Sequence, residues 1–296
     1  MSKIAVIGAG KWGQALAFAL SFSNDVLITS RTPKDLPNFT DIKTALECEF
    51  LVITIPAQEI ANWLEKNFEF KNQKILIAAK GIEASSAQFL NEIYSRFVPE
   101  ENLAFLSGPS FAQEVILALP TALVINANNK EIYDDFSKQF PPFIKTYYSD
   151  DVIGAEIAGA YKNVLAIASG ICEGLGLGNN ARASLISRGL VEMQRFGEFF
   201  GAKLETFLGL SGAGDLFLTA SSTMSRNFRV GLGLAKNKKI DEILEDIGEV
   251  AEGVKTSQAI VKLANSNQIY TPIATEVKLI IDGKDPKQSL KDLLKS

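Results

Sequence analysis

The sequence predicts an α/β protein in two parts. A mostly parallel sheet flanked by helices covers residues 1–149, and an all-helical part covers residues 150–296. Three observations carry this. As far as Tyr148, apolar β-branched runs alternate with segments of helical period. The first run, Lys3–Ile7, ends directly in Gly8-Ala9-Gly10-Lys11-Trp12-Gly13. Beyond Asp150, strand-like runs disappear and helical stretches are separated by glycine or polar breaks. Strands alternating with helices indicate a parallel sheet with right-handed crossovers.

After the glycines, Trp12, Ala15, Leu16, Ala19, Leu20 and Phe22 recur at helical period, and a second β-branched run, Val26–Thr29, follows. Strand, glycine turn, helix and strand form the context that a dinucleotide-binding fingerprint requires, which makes this part Rossmann-type. Gly8 allows the tight turn, Gly10 lets a pyrophosphate approach the backbone, and Gly13 lets the helix lie close on the strand. The helix N-terminus offers unpaired N–H groups and partial positive charge to the phosphates. A turn that uses glycine for shape alone is the plainer alternative. An NAD site usually carries Asp or Glu at the end of the second strand. Here Thr29-Ser30-Arg31-Thr32 stands there instead. Arg31 can pair with a 2′-phosphate that a carboxylate would repel; the alternative is a solvated surface arginine. NADP(H) is therefore favoured, and use of NAD(H) stays open.

A helical run begins at Asp41. Phe50–Ile55 reads as a third strand stopped by Pro56, and a helix around Gln58–Asn67 follows with Ile60, Trp63 and Leu64 as its apolar face. Lys74–Ala79 is a fourth strand, ending in Lys80-Gly81. The segment Ser85–Phe97 is predicted helical. Leu103–Leu106 is a further strand opening into Ser107-Gly108-Pro109-Ser110-Phe111-Ala112, and Thr121–Ala127 and Phe143–Tyr148 complete the pattern. Ligands of such sheets sit outside the carboxyl ends of the strands. That places Lys80 and the Gly108–Ser110 turn on the ligand rim, although a surface lysine and a simple change of direction would also explain them.

In the second part, Asp150 or Asp151 can cap a long helix whose stripe is Ile153, Ile157, Tyr161, Val164, Leu165 and Ala168. Small residues, Ala158, Gly159 and Ala166, flank Lys162. A lysine held among them would be partly desolvated, and its pKa would fall towards the range useful for proton transfer. A snorkelling surface lysine is the alternative. Asn180–Phe199 is a second helix, entered through Gly174, Gly176 and Gly178. The stretch Leu208–Asp215 reads as a helix–helix turn bringing Asp215 to a surface. Ser225-Arg226-Asn227 opens another helix, where the Arg226 guanidinium and the helix N-terminus together suit a phosphate. Val250 and Glu252 precede a helical run at Ser257–Ala264. Thr271-Pro272-Ile273 starts a helix with proline near its N-terminus, and Ser289–Leu294 is the last.

Bulk properties narrow the function. A chain of 296 residues, 47% of them hydrophobic, can bury cores for two domains. A net charge of −4 and a pI near 5.2 argue against nucleic acid or an anionic membrane surface as the main partner. The first strand begins so early that no signal peptide is expected, and no apolar run reaches the length of a membrane span. Cys48 and Cys172 are solitary, so reduced core thiols and a cytoplasmic setting are expected. The chain has no histidine. Acid–base chemistry must then come from Lys, Asp, Glu, Tyr or water, and no metal site is expected. Oligomeric state is open, with a homodimer among the options.

Together these stretches resemble the bacterial-type NAD(P)-dependent glycerol-3-phosphate dehydrogenases along nearly the whole chain. The resemblance is carried by Gly8–Ala17, Ala78–Glu83, Leu106–Val115, Asp151–Ile171, Asn179–Met193, Gly209–Thr219, Ser225–Asn227 and Val250–Thr256. It implies reversible reduction of dihydroxyacetone phosphate to sn-glycerol 3-phosphate, supplying glycerophospholipid synthesis. Lys162 matches the family's catalytic lysine. Lys80, Gly108, Ser110, Asp215, Ser225, Arg226 and Asn227 match its substrate contacts. Gly8, Gly10, Lys11, Trp12, Gly13, Arg31, Ala112, Val250 and Glu252 match cofactor contacts, to which Lys80 and Arg226 also count. Three departures stand out: Lys11 where serine is frequent, a short stretch between Arg31 and Asp41, and Tyr161 where leucine is common. The rival readings are another two-domain NADP-dependent hydroxyacid or ketopantoate-type dehydrogenase, and a non-catalytic nucleotide-sensing module. The Ser225–Asn227 and Leu106–Ala112 stretches speak against the first; retention of Lys80, Lys162 and Asp215 speaks against the second.

Overall fold

The computed structural model describes residues 2–294. Its contacts divide the chain into two compact units. The first holds the residues up to Lys80 together with Leu90–Val152, and the second holds Gly81–Phe89 together with the residues from Ile153 onward.

In the first unit, β1 (Lys3–Ile7), β2 (Asp25–Thr29), β3 (Phe50–Ile53), β4 (Lys74–Ile77), β5 (Leu103–Ser107), β6 (Thr121–Asn126) and β7 (Ile144–Ser149) form one sheet in the order β2-β1-β3-β4-β5-β6-β7. Its helices are α1 (Lys11–Leu20), α2 (Ile42–Leu46), α3 (Ile60–Asn67), α4 (Leu90–Tyr94), α5 (Ala112–Ile116) and α6 (Lys130–Ser137). Every neighbouring pair is parallel except β5 with β6. The single turn of α5 is too short to carry the chain back along the sheet, so β6 runs opposite to β5. Side chains alternate across the sheet as strand geometry demands. Ile4 and Val6 join a core with Leu16 and Phe136, while Ala5 and Ile7 join another with Leu51, Ile60 and Tyr94. Because β1 lies between β2 and β3, its carboxyl end is the point where the winding reverses.

The expected helix over Ser85–Phe97 is not formed as such; only α4 is helical. The Glu83 carboxylate accepts hydrogen bonds from the N–H and hydroxyl groups of both Ser85 and Ser86, at 2.6–3.0 Å. Such local side-chain bonds satisfy the backbone outside a helix, and Ala87 is left-handed at φ 61°. Desolvation raises the Glu83 pKa, but these bonds outweigh it and hold the group at about 2. Residues 81–89 belong to the second unit. Ile82 and Phe89 join its core, and Lys262 Nζ donates to the Ser85 carbonyl at 2.7 Å.

The second unit is helical among its described residues: α7 (Val152–Gly174), α8 (Gly178–Phe199), α9 (Leu204–Leu208), α10 (Asp215–Ala220), α11 (Arg226–Leu234), α12 (Ile240–Ile247), α13 (Glu252–Asn267), α14 (Pro272–Ile281) and α15 (Pro286–Leu293). The last helix starts three residues before the expected Ser289, because the Asp285 side chain caps it and Pro286 suits its first turn. Helix α7 is apolar almost all round and buried along most of its length, as a central core helix must be. Its backbone meets that of α11 at two glycines. A Cβ on Gly170 would lie 2.1 Å from the Phe228 carbonyl oxygen, and one on Gly231 equally close to that of Ile167.

Tyr161 also fastens α7. Its hydroxyl donates to Glu192 Oε1 at 2.8 Å, and the same carboxylate accepts the N–H groups of Ile273 and Ala274 at 2.8 Å each. A glutamate of α8 thus caps α14 from outside that helix. Burial pushes the Glu192 carboxyl up, against the lowering effect of those N–H groups. Burial, then the Glu192 charge, pushes the Tyr161 hydroxyl well above its usual range. Cys48 and Cys172 are both buried free thiols. Among the described residues no helix is long and apolar enough to cross a membrane.

Candidate active site

Each glycine of the first turn meets a separate steric demand. Gly8 sits at φ +112°, and a Cβ there would lie 2.4 Å from Thr54 Oγ1. Its N–H donates to the Thr29 carbonyl at 2.8 Å, and Thr54 Oγ1 donates to its own carbonyl at 2.8 Å. A Cβ on Gly13 would lie 1.8 Å from the Gly8 carbonyl oxygen, so α1 could not rest where it does with any other residue. Around Gly10, by contrast, nothing lies within 4 Å of where a Cβ would be. This open space adjoins the start of α1, where Gly10 is the N-cap, no side chain caps the helix, and the first turn has no acid. A dinucleotide pyrophosphate fits here: the backbone is bare, the first N–H groups are left uncapped by side chains, and the field favours an anion.

Lys11 is the first residue of α1 and exposed. Trp12 is half-buried and donates Nε1–H to the Ala78 carbonyl at 3.2 Å, which ties α1 to the end of β4. Arg31 is exposed just past β2 and has no carboxylate at ion-pair distance among the described residues. At the neighbouring strand ends, Lys80 Nζ donates to the Gly108 carbonyl at 3.2 Å, and Ser110 Oγ to the same oxygen at 3.3 Å. Gly108 stands at φ +107° with its Cβ position 3.1 Å from the Ala122 carbonyl oxygen, which accounts for glycine in the turn. Ala112 opens α5, packed against the same core as Trp12. The first unit therefore gathers Lys80, Gly108 and Ser110 into one cluster.

The second unit holds a second cluster. Lys162 is 8% exposed and its Nζ lies 2.6 Å from Asp215 Oδ1 and 3.2 Å from Thr219 Oγ1. The expectation that the turn brings Asp215 to a surface is corrected: Asp215 is 1% exposed. The glycines of the turn produce this. Residues Leu210–Gly214 form a π-helical turn, and a Cβ on Gly212 would lie 2.3 Å from the Phe207 carbonyl oxygen. The tight passage delivers Asp215 at the start of α10, facing α7. Thr219, four residues on, shares that helix face and donates to Asp215 Oδ1 at 3.3 Å. The carboxylate and the hydroxyl together fix where the Lys162 nitrogen stands.

Asn227 Nδ2 donates to Asn163 Oδ1 at 2.9 Å, and its own Oδ1 accepts the Gly253 N–H at 3.0 Å. It therefore links α7, α11 and the first turn of α13, beside Glu252. Val250, two residues before α13, is exposed. Ser225 caps α11 through its hydroxyl, which accepts the Phe228 N–H at 3.2 Å. Arg226, the first residue of α11, is partly exposed, with Glu249 Oε2 3.6 Å from its Nη1. Sequence reasoning missed Thr54, Asn163 and Thr219. Thr219 alone left a signal, its i+4 spacing from Asp215; the other two act through partners distant in the chain.

Comparison with known proteins identifies the family. A family model described as NAD-dependent glycerol-3-phosphate dehydrogenase N-terminus matches residues 23–133, and its C-terminus counterpart matches residues 151–291. The chain is 63% identical over 294 residues to a protein of Sulfurimonas denitrificans named glycerol-3-phosphate dehydrogenase, NAD(P)+, covering 99% of each. It is 62% identical over 293 residues to the protein of that name from Campylobacter jejuni, again covering 99% of each. The crystal structure of glycerol-3-phosphate dehydrogenase from Coxiella burnetii matches with a TM-score of 0.92 at 33% identity, over 100% of this chain and 99% of that one. The protein is thus a member of the NAD-dependent glycerol-3-phosphate dehydrogenase family.

Proposed function

We propose that the protein interconverts dihydroxyacetone phosphate and sn-glycerol 3-phosphate, using Lys162 as the acid–base group and NADP(H) as the favoured cofactor. The buried Lys162–Asp215–Thr219 cluster, in a chain without histidine, carries this reading. Bound nicotinamide supplies or takes up the hydride equivalent. As the substrate carbonyl is reduced, negative charge grows on its oxygen, and Lys162 delivers the proton that neutralises it. In the oxidative direction the lysine amine accepts that proton from the hydroxyl. Asp215 stabilises the ammonium before transfer and fixes where its nitrogen stands, and Thr219 limits its rotation. A positioned acid of this kind contributes typically ~10²–10⁴-fold.

Lys80, held against Gly108 beside Ser110, adds positive potential and hydrogen-bond donors for the reacting end of the substrate. Arg226 at the capped start of α11 suits its phosphate, whose binding energy then serves orientation. The glycine turn, Lys11, Trp12, Ala112, Val250 and Glu252 are assigned to the cofactor. Arg31 in place of an acid after β2 supports NADP(H), while the names of the relatives cover both cofactors. Buried free thiols support a reducing, cytoplasmic setting, and the family implies supply of phospholipid precursors.

The test compares nicotinamide oxidation with dihydroxyacetone phosphate and with unphosphorylated keto acids, in the wild type, Lys162→Ala and Arg226→Ala. The substrate should be turned over only in its phosphorylated form. Lys162→Ala should abolish turnover while NADPH binding, read by fluorescence, stays nearly intact. Arg226→Ala should chiefly raise KM for the phosphorylated ketone. Turnover retained without Lys162 would refute its role.

A further inference from the structure

The ten residues after β2 leave the sheet and fold back beside it. The Ile28 N–H donates to the Asn38 carbonyl at 3.0 Å and the Thr40 N–H to the Ile28 carbonyl at 2.9 Å, with Asn38 at φ 58° making the return. Ser30 Oγ donates to the Thr32 carbonyl at 2.8 Å, and Leu36 and Phe39 pack on the core. The segment is therefore pinned at both ends although its middle is exposed. From that middle Lys34 reaches to the glycine turn. Its Nζ lies 2.7 Å from the Ala9 carbonyl oxygen, which also accepts Gln14 Nε2 at 2.9 Å.

This places an ammonium at the beginning of α1, the end of a helix that already carries partial positive charge. No acid stands in the first turn of that helix, and neither Lys34 nor Arg31 has a carboxylate at ion-pair distance among the described residues. Two positive sources side by side are stabilised when an anion joins them. In folds of this kind the pyrophosphate sits on the helix N-terminus, and the adenosine ribose lies between the glycine turn and the end of the second strand. A side chain that spans those same two points borders the ribose.

We infer that Lys34 is a specificity-determining residue of the cofactor site, acting with Arg31 on the 2′-phosphate of NADP(H). The inference rests on the NADP(H) reading above and goes beyond it by adding a residue placed by the short loop. The Ala9 carbonyl holds the ammonium ready, so its side chain loses little freedom when the phosphate arrives.

The test measures equilibrium binding of NADPH and NADH by nicotinamide fluorescence, and of 2′,5′-ADP and 5′-ADP by calorimetry, in wild type, Lys34→Ala and Lys34→Arg. A hydrogen bond to a charged group predicts that Lys34→Ala weakens NADPH and 2′,5′-ADP roughly tenfold or more. NADH and 5′-ADP should change less than twofold, and Lys34→Arg should recover most of the loss. Equal weakening of all four ligands would overturn the inference, since Lys34 would then serve the pyrophosphate or the turn itself. No change in any of them would overturn it too. If the wild type already binds NADPH no tighter than NADH, the NADP(H) reading falls and takes the inference with it. If the wild type prefers NADPH and Lys34→Ala keeps that preference, only the inference falls.

Discussion

Asp215→Asn isolates the electrostatics of the buried cluster. The substitution keeps shape and a carbonyl acceptor but removes the charge that faces Lys162 Nζ at 2.6 Å. At that distance, with an effective dielectric constant of about 20, the pair attraction is about 6 kcal/mol. The retained acceptor and some rehydration return part of this. Breaking a buried pair by removing one partner costs about 3–5 kcal/mol in practice. Since whole domains are stable by only about 5–15 kcal/mol, the variant should unfold at visibly lower urea. Lys162→Met removes the other charge and leaves a carboxylate that can take up a proton, so it should cost less. The decisive measurement is the double-mutant cycle from urea unfolding followed by circular dichroism. Asp215→Asn with Lys162→Met should be more stable than the two single losses imply, by about 2 kcal/mol or more. Because the pair is buried, raising the salt should change that coupling little. Losses that add to within about 0.5 kcal/mol would refute the ion pair as an energetic unit.

Two further predictions concern the frame around the clusters. Tyr161→Phe deletes the donor to Glu192 but spares the two N–H groups that the carboxylate receives, so it should cost about 1–3 kcal/mol and lower the thermal midpoint; an unchanged midpoint would show that the hydroxyl contributes nothing. For Glu83 the folded pKa of about 2 lies below its ordinary 4.5. Its stabilising contribution is therefore complete above about pH 4.5 and disappears as pH falls towards 2. The wild type should be more stable than Glu83→Gln at neutral pH, with the two urea midpoints converging through that window; a gap independent of pH would contradict it.

What could be read from the chain follows from how local each determinant is. The glycine turn was legible because its three demands fall within six consecutive residues, between a strand and a helix that both announce themselves by period. The sheet was legible for the same reason, whereas the direction of β6 depends on the shortness of α5, which period alone does not measure. The Ser85–Phe97 helix failed because Glu83, two residues outside it, captures Ser85 and Ser86 and satisfies their N–H groups another way. Lys162 and Asp215 could be picked out individually, yet their contact joins residues 53 positions apart. Reading Asp215 as exposed was the natural error for a carboxylate after glycines, since only the π-helical turn shows that those glycines pull it inward. The Tyr161–Glu192 bond left no trace in the sequence. Tyr161 reads as one more apolar position in a helical stripe, and its partner lies 31 residues away.

The distribution of cations explains how an acidic chain can serve two anionic ligands. The net charge of −4 is spread over the whole molecule, and at physiological ionic strength charges more than about 8 Å apart are largely screened. What a phosphate meets is therefore the local arrangement. Arg31 and Lys34 stand exposed with no carboxylate at ion-pair distance among the described residues, and Arg226 keeps Glu249 at 3.6 Å, beyond a direct hydrogen bond. Such groups can exchange water for phosphate at little cost. Lys162 is the opposite case, buried and in contact with a carboxylate. Replacing Asp215 with another anion would sacrifice a tight pair for no gain, so Lys162 is poorly suited to hold a phosphate. Burial and pairing thus divide the cations into exposed groups open to an anion and a buried one whose partner is already built in.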